Sequence, residues 1–111
     1  MKRTIKIGDR DVEMLANAAS PYIFRTLFGQ DFIKESQNQD PDVHLMEKMG
    51  FVMAIQASKQ PEELKKVTEE DFFLWLSQFD DPYAIPRALE EIVNYYNEQD
   101  LSTSSAKKEE G

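Results

Sequence analysis

His44 is the chain's one histidine, and Glu69-Glu70-Asp71, Asp80-Asp81 and Glu90-Glu91 are three of its acidic clusters. A hydrolytic or metal site would have to be assembled from these groups. A catalytic or metal-bound histidine depends on positioned partners, a second ligand or an orienting carboxylate. His44 instead stands among polar neighbours in the first turn of an expected helix, which reads as a solvent-exposed side chain. The clusters at 69–71 and 80–81 fall at expected helix starts, where capping and the helix dipole account for negative charge. Glu90-Glu91 falls on the polar face of the last expected helix. Carboxylates acting as general acid and base need burial to drive their pKa values apart, and nothing here points to burial. There is no cysteine, hence no disulfide, thiolate metal site or cysteine nucleophile. Phosphate-cradling glycine loops, Gly-x-Ser-x-Gly, His-Glu-x-x-His and calcium-loop spacings are also missing from the sequence. The expectation is a protein that is not an enzyme and has no cofactor.

The formal charge of −8 over 111 residues repels a phosphate backbone, which speaks against nucleic acid as a partner. Basic residues are interspersed with the acids, unlike the unbroken acidic stripes of a DNA mimic. The longest apolar run, Phe51 to Ile55, is far short of the roughly 20 residues of a membrane span, and the N-terminus has no hydrophobic signal core. A cytoplasmic protein without membrane contact is expected. The length suits one domain, placed at residues 1–98.

The elements that would position a site follow from hydrophobic period. Ile5, Ile7, Val12 and Met14 alternate about Gly8-Asp9, a hairpin over 3–16 whose four apolar residues share one face. Ala19 to Asp31 then changes the period from strand to helix. Ser20 is the expected cap and Pro21 the first residue of a short helix over about 21–28, with Ile23, Phe24, Leu27 and Phe28 on one face and Gly29 as left-handed stop. Asp31 to Glu35 can add a turn of helix. A helix over about 43–59, capped by Asp40 or Asp42, is apolar nearly all round and is the expected centre of the core. Its Met46, Met49 and Met53 suit either core filling or an adaptable binding surface, and Gly50 suggests close approach of another backbone. Pro61 to Lys66 reads as a short exposed turn. Thr68 opens a helix over 69–79 with Phe72, Trp75, Leu76 and Phe79 as its stripe, so Phe73 and Leu74 face elsewhere. The last helix, about 83–97, carries Ile85, Ala88, Leu89, Ile92 and Tyr96, widened by Val93 and Tyr95. Residues 99–111 read as a disordered polar tail. The fold class is α+β: a mainly α-helical small domain of about four helices with an N-terminal β-hairpin.

Large apolar groups exceed what one small core obviously needs. Phe73, Leu74, Trp75, Tyr83, Tyr95 and Tyr96 have the composition of an interface core, though filling the domain's own core is the equal alternative. Arg25 lies off the apolar stripe of its helix and either pairs with an internal carboxylate or reaches a partner.

The order hairpin, Ser20-Pro21, Phe24-Arg25, Phe28-Gly29-x-Asp31, apolar helix, Phe73-Leu74-Trp75-Leu76 with Phe79, and a last helix ending in Tyr95-Tyr96-Asn97 before a Ser/Thr-rich Lys-Lys tail resembles the tail assembly chaperones of long-tailed phages and prophages of Gram-positive bacteria. It spans nearly the whole chain, and its specificity lies in order and spacing. Members often carry Tyr before the Arg, where this chain has Phe24, and Trp in the last helix, where it has Tyr95 or Tyr96. The resemblance implies a non-enzymatic role in a bacterial host cell: coating the helical tape measure protein until tail tube protein polymerises around it. It also implies self-association as a homo-oligomer and a longer frameshifted form of the chain, for which Lys107-Lys108 marks a candidate slip site. A small acidic regulatory or adaptor protein, binding a host or phage protein, is the rival expectation.

Overall fold

The structure is a computed structural model that describes residues 2–40, 42 and 44–110, with the backbone alone for 99–110. Strands β1 (Arg3–Ile7) and β2 (Arg10–Met14) pair antiparallel, with Ile7 opposite Arg10 and Ile5 opposite Val12. Of the two registers the alternation allows, this is the one with a two-residue loop. Gly8 has φ +61° and Asp9 no positive φ, the sign pattern of a hairpin turn that asks for glycine at its first central position. Ile5, Ile7 and Met14 are fully buried and Val12 partly so, as one shared face requires.

Helix α1 (Ser20–Phe28) ends at Gly29 with φ +69°, the glycine N–H donating to the Arg25 carbonyl. Its start differs from expectation. Ala19 is the N-cap and Ser20 the first helical residue. The Ser20 hydroxyl is buried, so it works across the fold: it accepts from the Asn17 N–H at 3.0 Å and donates to Gln56 Oε1 at 2.6 Å. Helix α2 (Phe32–Ser36) is capped by Asp31, which accepts from the Lys34 N–H at 3.1 Å. Phe24 packs against Phe28 and Phe32 with ring centroids 5.1 and 5.2 Å apart, which docks both short helices.

Helix α3 (Leu45–Ser58) buries nine of its 14 residues and packs against β2, α1, α2, α6 and the two helices that follow it. It is the central helix expected from its all-round apolar character. Val43, its expected first residue, lies outside the described residues. His44 holds the N-cap position without a side-chain bond, while Asp42 accepts from the His44 N–H at 2.9 Å. Met49 and Met53 are fully buried and Met46 partly so, so the methionines fill the core. Gly50 approaches the Ile92 side chain rather than another backbone: a Cβ there would lie 3.5 Å from two Ile92 carbons.

Helix α4 (Pro61–Leu64) is the exposed turn. Helix α5 (Glu69–Leu76) starts at Thr68, whose N–H donates to Asp71 at 2.8 Å. It stops three residues before the expected 79, because the Gln78 and Phe79 N–H groups reach back to Trp75 and Leu76 in tighter three-residue turns. Phe79 keeps its place on the stripe, its ring 5.3 Å from Trp75. Helix α6 (Ala84–Glu110) passes the expected end near 97; after Pro86, neither Gly nor Pro interrupts the chain before Gly111. The expected tail, 99–111, lies outside the residues whose side chains are described. The hairpin sits between the two long helices, β2 on α3 and β1 on α6. Backbone bonds seal the joint: Leu15 N–H to the Met53 carbonyl at 2.9 Å, and Ala16 N–H to the Tyr95 hydroxyl at 3.1 Å.

Candidate partner-binding surface

Three depressions run along the C-terminal half of α3. The first, about 240 Å³, lies between α1 and α4, with Tyr22, Ile23, Thr26 and Leu27 on one wall and Pro61, Leu64 and Lys65 on the other. The second, about 500 Å³, lies over Phe51 and Trp75, with Lys59, Lys66 and Leu74 among its lining. The third, about 300 Å³, continues past Trp75 and Phe79 to Val12 of β2. Ile55 lines all three, and Trp75 the second and third.

Local folding rules account for the walls. The α1 stripe sends Phe24 into the core and leaves Ile23 and Leu27 partly covered, while Tyr22, off the stripe, is 75% exposed. Four residues of α4 cannot cover Ile55 and Leu27 completely, so an apolar slot stays open between the helices. On α5 the core face takes Phe72 and Trp75. Phe73 and Leu74, at 100° steps away, are 59% and 60% exposed.

The charges along the depressions are mixed. Glu63 accepts from the Gln60 N–H at 2.9 Å and Asp71 from the Thr68 N–H at 2.8 Å, while Arg10, Asp11 and Glu13 line the third depression. Lys59, Lys65 and Lys66 form no ion pair among the described residues.

The expected contact residues divide. Phe73, Leu74 and Tyr83 face solvent, Tyr83 63% exposed. Arg25 is exposed too and has no ion pair among the described residues, so of its two readings the internal carboxylate falls away. Trp75 is 9% exposed, forming the floor of the second depression rather than a projecting anchor. Tyr95 is a correction. It is 1% exposed, among the largest fully buried side chains, because its hydroxyl meets the Ala16 N–H and Arg3 lies 5.2 Å from its ring centre. Tyr96 is partly buried, with its ring 5.1 Å from Phe32. The surplus of aromatics was therefore split between core and surface. Tyr22, Lys65 and Ile33, the last 54% exposed, went unrecognised; position off the apolar stripe marks Tyr22 and could have found it.

His44 is exposed, its Nδ1 3.3 Å from Glu47. No group of three or more potential metal-ligating side chains occurs among the described residues, and no helix among them is long and apolar enough to cross a membrane. Asp42 is the strongly perturbed carboxyl: the His44 N–H, then Lys48, draw it down from 3.8 to about 2. Lys48 also donates to Gln30 at 3.0 Å and lies 5.4 Å from the Phe28 ring centre, so this cluster ties the loop before α3 to the end of α1. It has a structural partner for each group. No family model, no curated protein and no solved structure matches this chain.

Proposed function

We propose that this protein is a tail assembly chaperone of a long-tailed phage or prophage, which holds helices of the tape measure protein in solution while tail tube subunits polymerise around them. The observation that carries the proposal is the apolar slot between α1 and α4, with outward-facing Tyr22 on its wall, together with the exposed Phe73 and Leu74 of α5. An amphipathic helix lays its apolar face into such a slot through anchors at i, i+3, i+4 and i+7. The order of motifs from Ser20-Pro21 to Tyr95-Tyr96-Asn97, with its resemblance to that chaperone family, supplies the identity of the client.

Co-expression with the tape measure protein of the same phage tests this. The client is expected to stay soluble and to co-purify with the chaperone, and Phe73→Ser with Leu74→Ser is expected to lose the complex while the domain's melting temperature stays within a few degrees. A client that is equally soluble without this protein, and does not co-purify with it, overturns the proposal.

A further inference from the structure

We infer that Asn17, Ser20 and Gln56 form a polar lock that fixes how α1 is seated on α3, and through it the position of the slot wall that carries Tyr22, Ile23, Thr26 and Leu27. Ser20 and Gln56 are the two buried polar residues among the described ones; they lie 36 positions apart and bond to each other. Gln56 is the single polar side chain among the nine buried residues of α3. The bonds make a closed circuit that starts and ends on Asn17. Its N–H donates to the Ser20 hydroxyl at 3.0 Å, the hydroxyl donates to Gln56 Oε1 at 2.6 Å, and Gln56 Nε2 donates back to Asn17 Oδ1 at 2.9 Å. Asn17 Oδ1 also accepts from the Ala19 N–H at 2.9 Å, and no buried side-chain nitrogen or oxygen among the described residues lacks a partner.

Apolar packing alone leaves the seating of α1 unfixed. Phe24 anchors the helix in the core, but apolar burial is non-directional, and cores of suitable volume lose a unique arrangement before they lose stability. Hydrogen bonds have direction. A slide or rotation of α1 by one residue leaves the Ser20 hydroxyl and the Gln56 amide buried without partners, which costs each its full desolvation penalty. Tyr22 follows Ser20 by two residues, and Ile55, on the floor of the slot, precedes Gln56. The seating therefore reaches the slot within one turn of each helix.

Native-state hydrogen exchange of the purified full chain, followed by nuclear magnetic resonance, tests this without a client. Asn17 is exposed, so its replacement leaves the apolar core intact. Asn17→Ala opens the circuit: the amides of Ile23 to Thr26 are expected to exchange about tenfold faster, and those of Val52 and Met53 to stay within about twofold of wild type. Asn17→Asp keeps both acceptor bonds and is expected to restore the wild-type rates. Gln56→Leu opens the circuit from α3 and leaves the turn from Asn17 to Ala19 in place. It is expected to speed the same α1 amides, and the double variant with Asn17→Ala to speed them no further, because both changes break one circuit. A role of Asn17 confined to its local turn predicts instead that Gln56→Leu leaves α1 unchanged. Should Gln56→Leu not fold, the two Asn17 variants decide. Unchanged α1 rates in Asn17→Ala, no restoration by Asn17→Asp, additive effects in the double variant, or equal acceleration of α1 and α3 overturns the inference. A tape measure protein that fails to co-purify refutes the chaperone reading and leaves this result untouched.

Discussion

Tyr95 and Phe73 show how one residue type, a large aromatic on a helix, takes opposite roles according to what its tip can reach. The Tyr95 hydroxyl accepts the Ala16 N–H in a buried position. Removing that oxygen leaves a buried backbone donor without its partner, so Tyr95→Phe is expected to cost about 1–3 kcal/mol in urea unfolding. Phe73→Ser and Leu74→Ser, at exposed positions, are expected to stay within about 0.5 kcal/mol of wild type. Asp42 gives a pH signature. Its carboxyl is lowered from 3.8 to about 2 by the His44 N–H and then by Lys48. A carboxyl whose folded pKa lies below its unfolded value stabilises the fold fully above the unfolded value and loses that contribution as pH falls through the folded one. Stability is therefore expected to decline between about pH 4 and pH 2, and Asp42→Asn to flatten that decline in acid titrations followed by circular dichroism.

Among the elements, α3 sets the arrangement of the others. Its nearly continuous apolar sequence was legible as a central helix, and so were the hairpin face, the Gly29 stop and the Thr68 start, because each follows from periodicity or cap chemistry within a few residues. The end of α5 and the start of α1 were not. Ser20 has the chemistry of a cap, yet Gln56, 36 residues away, claims its hydroxyl, and no local pattern reports such a partner. Gly50 illustrates the same limit with a useful consequence. A Cβ at this position meets Ile92 at 3.5 Å, ordinary van der Waals contact, and alanine regains about 1 kcal/mol of helix propensity. Gly50→Ala is expected to raise the melting temperature by several degrees, measured by thermal circular dichroism.

For the whole molecule, one core joins hairpin and helices, so damage at its centre is expected to be shared. Met53 is fully buried, and its carbonyl accepts the Leu15 N–H from the end of the hairpin. Met53→Ala is expected to cost about 2–5 kcal/mol, with Trp75 fluorescence and far-UV circular dichroism still unfolding in one coincident transition. The candidate surface belongs to this scale as well. Phe73 and Leu74 could be placed off the Phe72 stripe by their angle, but the slot is built by α1, α3 and α4 together. No single helix in the sequence announces it.

By itself, the sequence determined the α+β class, the hairpin register within two choices, the central place of α3 and the position of Phe73 and Leu74 off the α5 stripe. Those depend on side-chain period and on bonds within one turn. Tertiary structure alone decided that Tyr95 is core and Tyr22 surface, that Trp75 is a floor rather than an anchor, and that Glu63 and Asp71 accept capping bonds while Lys59, Lys65 and Lys66 form no ion pair among the described residues. The physical reason is the same in each case: burial and pairing are properties of contacts between elements, which a helix or strand read alone does not contain.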